Sequence, residues 1–151
     1  MDTGLIDGTG GLVLSVFRHA DDALWGKIGR YFADRVVRQE LGGPLSSDDA
    51  YTWWVAEDNG TVVGFAAVEV SSKSAKLRHA FVRHNYRGRG AYQTLLTARL
   101  DWLRGQHIAR VSATCTDMSR HSLDEAGFRK IGSRGKYAVV EAVLMPASAA
   151  A

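Results

Sequence analysis

The stretch HNYRGRGAYQ, His84 to Gln93, joins an apolar alternating run, LRHAFV, to an amphipathic one, AYQTLLTARLDWLRG. The first run reads as a strand. The second places Tyr92, Leu95, Leu96, Leu100 and Leu103 on one helical stripe, with Gly105 near its end. A turn rich in glycine and arginine therefore leads a buried strand into a helix. The first turn of any helix has unpaired N–H donors, and the helix dipole adds about half a positive charge there. Gly88 and Gly90 let the backbone approach a ligand with no Cβ in the way, and Arg87 and Arg89 add charge beside the donors. This is the chemistry of a phosphate cradle. It is not a Walker loop, because no Gly-Lys-Ser/Thr follows. It is not the dinucleotide fingerprint either, because G-x-G-x-x-G is absent and the strand lies late in the chain. Taken alone, the loop also fits a plain basic turn or an RNA contact of the Arg-Gly type.

The rest of the chain bounds the answer. It has 151 residues, 46% hydrophobic and 23% charged, a balance that suits one globular domain. Cys115 is its single cysteine, which excludes an internal disulfide and favours a cytoplasmic setting. No apolar run approaches the ~20 residues of a membrane helix, and the start shows no secretory pattern. The net charge of +3 allows an anionic ligand without demanding nucleic acid. Residues 1–11 read as a flexible lead-in, 12–145 as the domain and 146–151 as a disordered tail.

Working outward from the loop gives the element order. LVLSVFR is a strand, and DDALWGKIGRYFADRVVRQEL is one helix capped by Asp21. Its buried face would hold Leu24, Ile28, Tyr31, Phe32, Arg35 and Val36, and Gly42-Gly43-Pro44 stops it. YTWWVAE and TVVGFAAVEV form a hairpin around Asn59-Gly60, since a type I′ turn needs positive φ at both central residues. SAKLRHAFV is the fourth strand and IARVSATC the fifth. DMSRHSLDEAGF is a short helix with Asp117 as N-cap and Gly127 as its stop, and FRKIGSR and KYAVVEAVL are two closing strands. The order β-α-β-β-β-α-β-α-β-β predicts an α/β domain with a mixed, mostly antiparallel central sheet and helices on both faces.

This layout, from about Leu12 to Leu144, resembles the GNAT superfamily of acyl-CoA-dependent N-acyltransferases. FVRHNYRGRGAYQTLL is similar to that family's strand, loop and helix for the pyrophosphate of coenzyme A, whose loop is written [QR]-x-x-G-x-[GA]. Two registers are open. From Arg87 the glycine falls on Gly90, but the last position is Tyr92. From Asn85 the glycines fall on Gly88 and Gly90, but the first position is Asn. SLDEAGFRKIG is similar to the family's closing helix with its terminal Gly-Phe. The resemblance implies that the fourth and fifth strands splay apart and that acetyl-CoA lies in the gap. Its amides would pair near Phe81 and Val82, and its pyrophosphate would rest on the loop formed by Arg87, Gly88, Arg89, Gly90, Ala91 and Tyr92. A small-molecule or protein amine would enter from the opposite side. Membrane and nucleic-acid partners are not implied, and a homodimer is allowed.

Acyl transfer to nitrogen makes two demands. A lysine-like amine is neutral in only about one copy in 2,500 at pH 7, so using that form costs roughly 4–5 kcal/mol unless a base removes the proton. The departing thiolate takes a proton less urgently, because thiols are far more acidic than amines. The resemblance places the usual acid, a tyrosine, four residues before the Gly-Phe glycine, and Leu123 stands there. Tyr137, Ser119, Ser122 or water would substitute. For the base, Glu69 ends the third strand and ranks slightly above His79, whose neighbours Leu77 and Phe81 suggest packing. Glu57 reads as a solvated hairpin residue. Lys76 and Arg78, on the other face of the fourth strand, would suit an acceptor carboxylate. Cys115 reads as a small buried residue, since no base adjoins it. Trp53 and Trp54 point to opposite faces, one toward the acceptor pocket and the other toward a partner surface. The rival to an N-acetyltransferase is a non-catalytic module that binds acyl-CoA or a protein.

Overall fold

The computed structural model of the chain describes residues 3–5 and 11–144. Its elements are β1 (Thr3–Leu5), β2 (Val13–Arg18), α1 (Asp22–Phe32), α2 (Arg35–Glu40), β3 (Tyr51–Asp58), β4 (Thr61–Ser71), β5 (Ser74–Val82), α3 (Ala91–Gly105), β6 (Arg110–Cys115), α4 (Asp117–Glu125), β7 (Arg129–Arg134) and β8 (Tyr137–Val143). Among the described residues eight strands form one sheet in the order β1-β2-β3-β4-β5-β6-β8-β7. Every neighbouring pair is antiparallel except β5 and β6. The expected fold is the observed one, an α/β domain with a mixed sheet.

The lead-in differs from its reading. Thr3–Leu5 pairs with β2, Leu5 opposite Val13, so the fourth and fifth strands of the sequence reading are β5 and β6. The remainder of 1–10 and all of 145–151, including the tail, lie outside the described residues.

The single long helix of the sequence reading is two. Ala33 closes α1, and Asp34 opens α2 by accepting the N–H groups of Val36 and Val37. That break rotates the apolar face. Leu24, Ile28, Tyr31 and Val37 are buried, whereas Val36 is exposed. Gly42, at φ +80°, ends α2, and the N–H of Gly43 returns to the carbonyl of Arg38 at 2.9 Å.

Two apolar clusters sandwich the sheet. On one face α1 and α2 pack Leu24, Ile28, Tyr31 and Val37 against Trp53, Phe65 and Phe81. On the other, α3 and α4 pack Leu95, Leu96, Leu103 and Leu123 against Trp54, Val68 and Val111. Both tryptophans are therefore buried, and Trp54 meets Trp102 of α3 edge to face at 5.5 Å. The partner surface expected at one of them does not exist, because α3 covers it.

Candidate active site

The middle of the sheet opens. β5 and β6 pair only at Ser74↔Arg110, Ala75↔Val111 and Lys76↔Ser112, although β5 continues to Val82 and β6 to Cys115. A register shift in β5 accompanies the opening: Phe65 faces Phe81 but Ala67 faces Arg78, so His79 and Ala80 together oppose Ala66. His79 takes φ +53°, an uncommon value outside glycine and a mark of a bulge held by its surroundings. Bulges bend a strand and increase its twist, and here the bend carries β5 away from β6.

The bulge also resets the faces that simple alternation assigned. Arg78 and His79 both lie on the α1–α2 side. The His79 ring lies nearly parallel to those of Tyr51, at 5.9 Å, and Trp53, at 5.8 Å, the three rings mutually adjacent, and Ala80 turns to the α3 side. His79 Nε2 accepts the N–H of Ser46 at 3.1 Å, pinning the segment after α2 to the sheet. Burial first, and the Arg78 charge second, push its pKa down to about 4. Its ring is neutral at pH 7, with the lone pair of Nε2 already engaged. Glu69 lies on the same sheet face, its side chain one-third exposed and its carboxylate 3.9 Å from Arg78 Nε.

At the open end of the cleft, β5 runs through a 3-10 turn, His84–Tyr86, into the glycine loop. Gly88 and Gly90 take φ of +75° and +85°. Gly90 is the N-cap of α3 and offers no side-chain cap, so the first-turn N–H groups are left for a ligand. A Cβ on Gly88 would meet no protein atom within 4 Å, so it would protrude into the space above the loop. The arginines divide the work. Arg87 turns toward α2: it pairs with Glu40, donates Nε–H to the Val82 carbonyl at 2.9 Å and lies over Phe81. Arg89 rests over the Tyr86 ring at 5.3 Å and forms no ion pair among the described residues. It is therefore the arginine of the pair whose charge no carboxylate among the described residues offsets.

Phe81 and Val82 divide as well. The N–H of Arg83 reaches Val63 of β4 at 2.8 Å. Backbone groups two residues apart point the same way in an antiparallel ladder, so those of Phe81 also face β4 and those of Val82 face the cleft. Since Arg87 occupies the Val82 carbonyl, the Val82 N–H is the group this pair offers to a ligand. The close approach of the Phe81 carbonyl explains Gly64, where a Cβ would lie 2.9 Å from that oxygen.

One residue escaped the sequence reading. Arg99 is 1% exposed, under the bulge. It donates Nε–H to Leu95 O at 3.2 Å and Nη1–H to Ala67 O at 3.3 Å, and Nη2 has no partner. Burial lowers its pKa, and the Tyr92 phenol opposes that shift. Tyr92, which is the last position of the loop pattern in the register that starts at Arg87, packs against the core and turns toward Arg99. Arg99 falls on the same helical stripe as Leu95, Leu96 and Leu103, so the 3.6-residue period contained the signal.

The remaining candidates separate. Leu123, at the expected acid position, is 1% exposed and belongs to the core. Ser119 bonds its own helix at Thr116 O. Cys115 is buried, and burial pushes its thiol pKa up. Tyr137 crosses from β8 to α2: a Cβ on Gly42 would sit 2.6 Å from its hydroxyl. Beside that contact lies an open depression of about 480 Å³ lined by Arg35, Arg38, Gln39, Gly42, Gly43 and Pro44.

The acetyltransferase (GNAT) domain model matches residues 18–148. The chain belongs to the GNAT family. The fold agrees with that of the GNAT domain of S. lividans PAT, with a TM-score of 0.72 at 15% identity, covering 94% of this chain and 97% of the other. The ribosomal-protein-S18-alanine N-acetyltransferase of Escherichia coli gives 0.66 at 14% identity, covering 88% and 94%. The PaiA N-acetyltransferase of Thermoplasma acidophilum, solved with coenzyme A, gives 0.61 at 13% identity, covering 83% and 81%. No curated protein sequence matches the chain. The acyl donor of GNAT proteins is acetyl-CoA, and the uncapped, glycine-led start of α3 beside a parted strand pair fits its pyrophosphate and its extended arm. No helix among the described residues is long and apolar enough to cross a membrane.

Proposed function

We propose that this GNAT protein transfers an acetyl group from acetyl-CoA to a primary amine, which attacks directly while both substrates are bound. The observation that carries the reading is the parted β5–β6 pair with the uncapped N-terminus of α3 at its mouth. When bound, acetyl-CoA supplies an acetyl group already activated as a thioester. The loop from Gly88 to Tyr92 holds the pyrophosphate through backbone N–H groups, and Arg89 adds charge. Arg87 and Phe81 shape the loop from behind, and Val82 faces the arm.

Glu69 is the proposed base. It stands on the acceptor side of the sheet, open enough for water to relay the amine proton. His79 ranks below it, because its basicity is low and its free nitrogen is occupied. Tyr137 is the proposed acid, since its hydroxyl reaches the α2 side of the cleft. The competing reading, an acyl-CoA-binding module without turnover, draws on Leu123 filling the core where an acid is expected.

The test is thiol release from acetyl-CoA across a panel of amines. Glu69→Gln is expected to lower kcat by about 10²–10⁴ with coenzyme A affinity unchanged. Coenzyme A binding without thiol release from any amine would select the module instead.

A further inference from the structure

We infer that the acceptor carries an oxyanion beside its amine, received by Arg35, Arg38 and Gln39 of α2. The inference rests on the proposed transfer and names the chemical class of its acceptor.

Residues 35, 38 and 39 recur at the spacing that brings side chains onto one helical face, and Gly42 follows where α2 ends. They line the depression of about 480 Å³ along the side of α2, and no acidic residue shares that lining. Among the described residues no ion pair joins Arg35 or Arg38 to a carboxylate. The carboxylate nearest in sequence on the C-terminal side, Glu40, is committed to Arg87. A third cation stands close by: Lys136 Nζ lies 5.5 Å from the centroid of the Tyr137 ring, whose hydroxyl abuts Gly42 at the rim. The whole chain carries only +3, so this clustering is local.

Neighbouring guanidinium groups repel unless an anion lies between them, and their planar forks match carboxylate and phosphate oxygens. An anionic group held there leaves the rest of the acceptor beside Tyr137, the proposed acid.

The experiment uses matched acceptors with acetyl-CoA: an α-amino acid against its amide, and O-phosphoethanolamine against ethanolamine. The inference expects the anionic member of at least one pair to have a kcat/KM about tenfold higher. The pair showing the preference tells carboxylate from phosphate. In Arg35→Gln/Arg38→Gln the preference is expected to vanish through a rise in KM for the anionic probe. It is expected to persist in Arg104→Gln, a charge change at the far end of α3. Equal use of both members, or equal loss in Arg104→Gln, would overturn the inference. If no amine releases thiol, thermal shifts of the coenzyme A-loaded protein with the same probes decide. A shift specific to anionic probes and lost in the double variant supports the site, and no shift refutes it. Failure to bind coenzyme A would instead remove the reading beneath it.

Discussion

Acid titration of His79 offers a direct measure of how firmly the bulge is held. The imidazole has a pKa of about 4 in the folded chain against 6.5 when unperturbed. Between these values the unfolded chain binds more protons than the folded one. The contribution is therefore fully present above pH 6.5 and is lost as pH falls toward 4. Integrating from about pH 7 to about pH 4.5 gives roughly 2.4 kcal/mol at 1.36 kcal/mol per unit. The ring keeps some contact with solvent, which discounts the figure to about 2 kcal/mol. His79→Asn is the appropriate comparison, because asparagine tolerates the left-handed backbone and does not titrate. Urea unfolding of both proteins across that range isolates the histidine from the carboxylates, which titrate in each. The variant is expected to lose about 2 kcal/mol less than the parent on acidification. Equal losses would refute the account of a half-buried, neutral His79. A rate loss of about 10² or more in the variant, at unchanged coenzyme A affinity, would return His79 to the role of base.

Gly88→Val places a branched side chain in the space above the loop and strains a φ of +75°. The rise in Tm on adding acetyl-CoA is expected to disappear, and an unchanged rise would put the pyrophosphate elsewhere. Leu123→Tyr installs the expected acid where the core has no room. Urea denaturation is expected to show a loss of about 1–3 kcal/mol, and a stable, faster enzyme would show that α4 can present the hydroxyl to the cleft.

Much of the fold was legible because local chemistry decides it. Asn59 and Gly60 adopt the positive φ values that a two-residue turn demands, and Gly127, at φ +97°, ends α4 ahead of the buried Phe128. The glycine loop was legible for the same reason. What local chemistry does not decide was missed. The α1–α2 break depends on Asp34 winning the cap against an apolar period that runs through it. The bulge at His79 depends on how β5 meets β4, and strict alternation therefore put Arg78 and His79 on opposite faces where the structure puts both on one. One of the two tryptophans was read toward a partner surface because the cover of Trp54, Trp102, comes from a distant helix. At the site, the loop glycines could be read directly. The diversion of Arg87 to Glu40 and the inward turn of Tyr92 toward Arg99 could not, because each rests on a tertiary partner.

The gap between β5 and β6 leaves the sheet with a missing rung in its interior. Unpaired strand edges ordinarily invite other chains, and proteins blunt them at the outside of a sheet with charge, bulges or covering elements. Here the unpaired edge of β5 is recessed, with β4 behind it and β6 and β8 across the gap. A foreign strand would have to enter with its whole width of side chains between the helical layers. A slender chain bearing amides but no side chains meets no such barrier. The recess proposed for the cofactor is therefore closed to the protein neighbours that an open edge would recruit, and the fold keeps an unpaired edge without an aggregation edge.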